Sequence, residues 1–136
     1  TKASANRTIK SLNKMDTTLV ARILVGLIAL MHLYIVWLEM FAWTTRGPKV
    51  FKNLPPELFI PTRALAANQG LYNGFLAGGL IWTFFIQDAV WQTYVSIFFV
   101  GCVLVAGLFG TMTADRKIFF VQALPAFITL LLLSVH

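Results

Sequence analysis

Charge is what this chain has least of. Only 12% of its 136 residues are Asp, Glu, Lys or Arg, against 58% hydrophobic, and so few charges cannot cover an ordinary water-facing surface. A soluble single domain is therefore not expected. Cysteine is nearly absent: Cys102 is alone, so no intrachain disulfide and no zinc-type cysteine pair can form. Set among apolar residues, its thiol is expected to serve as a small hydrophobe, since desolvation disfavours the nucleophilic thiolate. Metal ligands are equally scarce. The apolar runs hold one histidine, His32, and one glutamate, Glu39, where a catalytic zinc site takes three protein ligands; His136 ends the chain on the other side. No metal is expected. Glycine-rich nucleotide loops and a serine nucleophile elbow are also missing. The formal net charge of +6 does not point to nucleic acid, because the cations fall at the ends of apolar runs and not on a basic, aromatic-interleaved face. Anionic lipid headgroups are the expected partners.

What is present is a set of four apolar runs at 18–43, 64–85, 89–110 and 118–135. The first would extend about 39 Å as a helix, enough to cross a bilayer with tilt. The expected fold is all-α: a polytopic integral membrane bundle of four transmembrane helices forming a single domain over 18–136. Residues 44–63 carry Gly47, Pro48, Pro55, Pro56 and Pro61, which argue against continuous helix and make this the one substantial loop. Runs two and three are separated by a short turn around Asp88, and Pro125 is expected to kink the fourth. Residues 1–17 read as a tail, either flexible or foreign to the natural protein, for which Met15 would be a natural start. A cleavable signal peptide is rejected because the following apolar run is too long for an h-region.

Polar groups inside spans are costly, about 2.5 kcal/mol or more for an unpaired charge near the bilayer centre, so their positions need a reason. His32 and Glu39 are seven residues apart, two helical turns, and share a face. Asn68, Gln69, Tyr72 and Asn73 open the second span and Gln122 opens the fourth, with Thr111 and Thr113 closing the third. Antiparallel geometry brings all of these to one half of the bilayer. They define an expected polar pocket open toward the long loop and closed at the other end by apolar stretches 23–30 and 128–133. His32 is either a proton carrier or ligand contact, or a histidine bonded between helices; Glu39 is either a functional acid or the partner of Arg46 or Arg63. The amides orient a ligand or bridge helices. Trp37, Trp82 and Trp91 read as interfacial anchors, and Trp43 alone among the tryptophans is a candidate for the pocket lining. Ala66, Gly70, Gly74 and Gly78 form a small-residue stripe, as do Cys102, Ala106 and Gly110, and such stripes allow close helix approach in lipid.

These residues fall into an ordered set: His32-Leu-Tyr-Ile35, Leu38-Glu-Met-Phe41, Trp43, Arg46-Gly47, Lys49-Val-Phe51, Asn68-Gln-Gly-Leu-Tyr-Asn-Gly74, Ala106-Gly107, Gly110, Thr113 and Gln122-Ala-Leu-Pro125. In this the chain after Met15 resembles the membrane proteins grouped as domain of unknown function 1304. The resemblance implies membership and a place in a bacterial inner membrane or a eukaryotic (fungal or organellar) one, and brings no reaction, ligand or cofactor with it. Met31 stands where members of that family often have an acidic residue, which removes a charge partner for His32. More distantly, the layout is similar to DoxX-type four-helix membrane proteins, a likeness of fold alone.

Three functions fit this reading. The first is binding or transport of a small amphipathic or lipid-like molecule, a quinone for example, in the pocket. The second is a membrane enzyme, of isomerase or quinone-linked oxidoreductase type, using Glu39 and His32 as acid and base. The third is an accessory subunit of a homo-oligomer or larger membrane complex. Orientation follows from the cations: Arg46, Lys49, Lys52, Arg63, Arg116 and Lys117 on the loop side, against Lys2, Arg7, Lys10, Lys14 and Arg22 on the other, of which only Arg22 follows Met15. The long loop is expected to face the cytoplasm. A cysteine placed at position 53 should then resist impermeant thiol reagents applied to intact cells, and ready labelling from outside would reverse the assignment.

Overall fold

The computed structural model describes residues 2–135; Thr1 and His136 lie outside the described residues. All regular structure among them is helical. Helix α1 spans Lys2–Phe41, α2 Gly47–Val50, α3 Arg63–Trp82, α4 Ala89–Thr113 and α5 Leu124–Ser134; single 3-10 turns occupy Pro56–Leu58 and Thr83–Phe85, and a π-helical turn covers Phe119–Ala123. Residues 2–17 therefore continue the first helix, almost wholly exposed.

Local chemistry sets the breaks. After α1, the Ala42 carbonyl accepts from the backbone N–H groups of Thr45, Arg46 and Gly47 at 2.8–3.2 Å, folding the chain back into α2, where Pro48 occupies a first-turn position that needs no N–H. At the next reversal, the Asp88 carboxylate caps α4 by accepting from the Trp91 N–H at 2.8 Å. Gln92 Nε2 donates to the Thr83 carbonyl at 2.8 Å and closes the turn. The kink expected at Pro125 takes the form of the π turn: the proline has no N–H for the α-helical ladder, and the Leu124 N–H reaches five residues back to the Phe119 carbonyl.

Four long segments, α1, α3, α4 and the joined π turn and α5, pack side by side with alternating direction. The most extensive seam lies between α1 and α3. A Cβ on Gly70 would come within 2.6 Å of Met40 Cγ and 3.1 Å of Glu39 Cβ, and one on Gly74 would lie 3.6 Å from Val36 Cγ2; Ala66 and Ala77 are buried on the same face. The stripe thus clasps α1, but Gly78 drops out, with nothing within 4 Å of its added Cβ. A four-residue spacing drifts around a helix of 3.6 residues per turn, and Ala77 takes the place one step earlier. On α4 the inward face is Val100, Val103 and Gly107, about 100° around from the stripe of Cys102, Ala106 and Gly110; Ala106 is exposed. Gly107 meets the end of the π turn that leads into α5, where a Cβ would lie 2.9 Å from the backbone N of Ala123. Gly79 faces the ring of Phe99 on α4. Val25, Ile28, Leu80, Val100 and Ala126 fill the centre.

Two helices, α1 and α4, are long and apolar enough to cross a bilayer, where the sequence suggests four. The α3 helix has the length, at 20 residues, but Arg63, Asn68, Gln69 and Asn73 dilute its first half. The last apolar segment, Phe119–Ser134, would rise only about 24 Å, short of a hydrocarbon core of about 30 Å. The outward faces are nonetheless apolar on every long helix: Leu30 is 62% exposed, Phe75 60%, Phe98 65%, Phe109 63% and Phe127 48%.

The seams differ in what they tolerate. Gly107→Ala should lower the thermal stability of the purified protein by about 1–3 kcal/mol, because the clash is with backbone that cannot rotate away. Gly78→Ala should leave it unchanged or raise it by up to about 1 kcal/mol through helix propensity. Equal effects would refute the assigned contact of Gly107 with the π turn.

Candidate functional site

The register of the seams places the polar residues in depth. Gly74 lies against Val36, Gly79 against Phe99 and Gly107 against Ala123. Stepping along each antiparallel pair from these contacts brings His32, Val100 and Thr129 to one level within about a turn. All three are fully buried, at 0% exposure. His32 and Thr129 therefore lie at one level of the core as its two wholly buried polar residues, with Thr83 and Ser96, at 3% and 4% exposure, buried nearer the other end.

His32 is not bonded between helices. Its Nδ1 lies 2.8 Å from the Ile28 carbonyl, one turn back on α1. A carbonyl only accepts, so Nδ1 carries the proton that it donates, and in a neutral ring this leaves Nε2 as an acceptor. That Nε2 is buried and has no hydrogen-bond partner. An unsatisfied buried polar atom costs about 1–3 kcal/mol, and such groups mark functional or hydrated positions. Thr129 turns its hydroxyl to its own helix, donating to the Pro125 carbonyl at 2.7 Å.

About 10 Å along α1 from His32, the half-buried carboxylate of Glu39 accepts from Asn73 Nδ2 at 2.9 Å. Asn73 Nδ2 also donates to the Gln69 carbonyl at 3.1 Å. Glu39 thus takes an amide on α3 as its partner and not Arg46 or Arg63, both of which are exposed. The reason is geometric. Gly70 lets α1 and α3 approach directly at Glu39, and Asn73, three residues on, shares that face.

The other sequence candidates divide. Asn68 and Gln69 are exposed, and Tyr72 is 58% exposed and paired with Phe75 at 6.1 Å between ring centroids. Gln122 is half-buried on a different seam, its Nε2 donating to the Val103 carbonyl of α4 at 3.2 Å. Trp43 belongs to the loop: its rings lie 5.2 Å from Phe51 and 5.0 Å from the buried Phe59, and Nε1 donates to Thr62 Oγ1 at 3.0 Å. Residues 44–63 are thereby a folded cap, tied to the turn before the π segment by Asn53 Nδ2 donating to Asp115 Oδ2 at 3.0 Å. His32, Glu39 and Asn73 are the residues the fold turns inward along the α1–α3 side. Thr129 escapes sequence reading, although a lone hydroxyl residue amid the apolar run 124–133 is its signal.

A cavity of about 500 Å³ lies at the opposite end of the bundle, lined by Arg22, Thr83, Gln92, Thr93, Ser96 and Ser134 among others. It lies beyond the apolar stretches 23–30 and 128–133, where Val25, Ile28, Ala29 and Leu133 are buried, and gathers hydroxyl, amide and cationic side chains into a mixed lining.

The class these features define is an all-helical protein in which two helices have the length and apolarity to cross a bilayer and a histidine, a glutamate and an amide are drawn into the interior. A family model described as "Protein of unknown function (DUF1304)" matches residues 26–134, and the chain belongs to that family. It is 33% identical over 116 residues to "Uncharacterized protein YpaA" of Lactococcus lactis subsp. lactis (strain IL1403), a match covering 84% of this chain and 96% of that protein. No solved structure matches the chain.

His32→Leu provides a test of the unpaired nitrogen. It replaces the ring with an apolar side chain of similar volume and removes an unsatisfied acceptor, so thermal stability should hold or rise by about 1–2 kcal/mol. A loss of more than about 2 kcal/mol would show that the ring is a structural tie.

Proposed function

We propose that this is a polytopic membrane protein of four spans that binds, and passes across or along the bilayer, a small amphipathic or lipid-like molecule bearing hydrogen-bond donors. The observation that carries the reading is the wholly buried Nε2 of His32, an acceptor with no partner at the level of Val100 and Thr129. The apolar outer surface of every long helix supports the membrane setting, since contiguous exposed apolar area of this extent calls for a lipid or protein environment. In that setting α3 and α5 complete the bundle, their shortfall in length or apolarity met by packing against α1 and α4.

The two acceptors prescribe the ligand. Glu39 Oε2 is engaged by Asn73, leaving the second carboxylate oxygen to accept a hydroxyl or amine, and His32 Nε2 accepts a second donor about 10 Å deeper. A molecule with a polar head at Glu39 and an apolar body carrying one further O–H or N–H matches that spacing, as a quinol or hydroxylated lipid would. Entry runs from the side of the loop cap.

The experiment is mass identification of small molecules retained by the protein purified in mild detergent. Glu39→Gln and Asn73→Ala should each reduce retention at least about tenfold, while thermal stability falls by no more than about 1.5 kcal/mol, the net worth of one hydrogen bond. Retention unchanged in both variants would refute the site, and collapse of folding in both would make the Glu39 to Asn73 bond purely structural.

A further inference from the structure

The cavity at the far end from Glu39 has its own chemistry. It lies between the N-terminal half of α1 and the start of α4, beneath the turn that joins α3 to α4, and holds about 500 Å³. Two cations line it, Lys14 and Arg22, both from α1. The Arg22 guanidinium lies over the Phe84 ring, 5.5 Å from its centroid, a contact that orients the fork without neutralising it. Among the described residues, no carboxylate lines the cavity. Of the nearby acids, Asp88 is taken up capping α4 through the Trp91 N–H, and Asp16 is exposed two residues beyond Lys14. The hydroxyls of Thr83, Thr93, Ser96 and Ser134 donate to carbonyls of their own helices and can turn toward a ligand at little cost.

Position sharpens this. Arg22 is flanked by Val20 and Ile23, 47% and 54% exposed, so in a bilayer it sits inside the edge of the apolar zone. A cation at that depth is stabilised by a counter-charge or by reaching to the headgroups. Among the described residues, the fold supplies an aromatic face and a cavity there, and no carboxylate in its lining.

We infer that this cavity is a binding site for a phosphate-bearing anion, the headgroup of an acidic phospholipid whose acyl chains run down the apolar groove beside Leu133 and Ile97. The guanidinium offers two parallel N–H donors to phosphate oxygens, Lys14 supplies a second charge about 12 Å farther along α1 on its long side chain, and the hydroxyls add neutral contacts. This rests on the membrane reading above and is independent of the ligand proposed for Glu39 and His32.

The test uses the full chain in lipid nanodiscs containing equal phosphatidylglycerol and phosphatidylcholine, with bound lipid counted by native mass spectrometry. Each basic residue near a membrane surface favours an anionic lipid about fivefold, so the pair predicts a preference for phosphatidylglycerol of roughly thirtyfold, falling to near parity in Lys14→Gln/Arg22→Gln. Lys49→Gln/Lys52→Gln, which removes the same charge at the other end, should retain the preference. Thermal unfolding in detergent with added inorganic phosphate separates the two sources of the anion: protection equal to that given by phosphatidylglycerol assigns a free phosphate ion, and protection by the lipid alone assigns the headgroup. A preference that survives the Lys14/Arg22 substitutions, or that vanishes equally in the Lys49/Lys52 protein, overturns the site. If the double variant is not recovered folded, Lys14→Gln alone, at an exposed position, carries the comparison with an expected fivefold loss. Release of the chain from membranes by alkaline washing would count against the membrane reading itself, separately from either binding result.

Discussion

The inward polar contact on the loop side of this molecule depends on how closely α1 and α3 approach each other. Where Gly70 faces Met40 and Glu39 there is no room for a Cβ, and with Gly74, Ala66 and Ala77 completing the face the two helix backbones lie nearly in contact. In the proposed membrane setting, where no hydrophobic force acts between helices, such contact is what dispersion and short polar bonds can exploit. It sets the level of His32 against α3, and the contacts of Gly79 with Phe99 and of Gly107 with Ala123 carry that level on to Val100 and Thr129. It also brings the Asn73 amide within reach of Glu39, which a seam of larger residues would hold apart.

The polar groups divide between two ends with different chemistry. On the loop side the unengaged groups turned into the interior are acceptors, a carboxylate oxygen of Glu39 and, deeper, the imidazole nitrogen of His32, while the cations of that side, Arg46 and Arg63 among them, are exposed. At the other end they are cations, Lys14 and Arg22, around a cavity lined with hydroxyls. A donor-bearing ligand is suited to the first and an anion to the second. The family to which the chain belongs carries no assigned reaction, so this division of donors and acceptors is the physical basis on which function is argued.

Depth is legible in the sequence and azimuth is not. Apolar runs bounded by charge and proline place the helices within a few residues, and the positions of Glu39 and Asn73 within those runs suffice to bring them to one level. Which way a side chain faces depends on the partner helix. Asn68 and Gln69 lie at the right depth and point outward, while Thr129, unremarkable in sequence, is wholly buried. The α4 stripe of Cys102, Ala106 and Gly110 has the right spacing on the wrong face, because several small-residue rows coexist and only Gly107 meets backbone. The far cavity is illegible for a related reason: Thr18, Thr83, Thr93 and Ser134 come from four separate stretches of chain and form no motif. Four spans follow from composition, yet the folded segments give two helices that meet both length and apolarity, since α3 is diluted by its own amides and the last helix is short.

The absent side chain at Gly70 has an effect on entropy. With Glu39 Cβ directly over that glycine and one carboxylate oxygen tied to Asn73, the glutamate has already lost its rotamer freedom when the bundle forms. A ligand arriving at the second oxygen orders nothing further there, sparing the roughly 0.5–1.5 kcal/mol that immobilising such a side chain would otherwise subtract from its affinity.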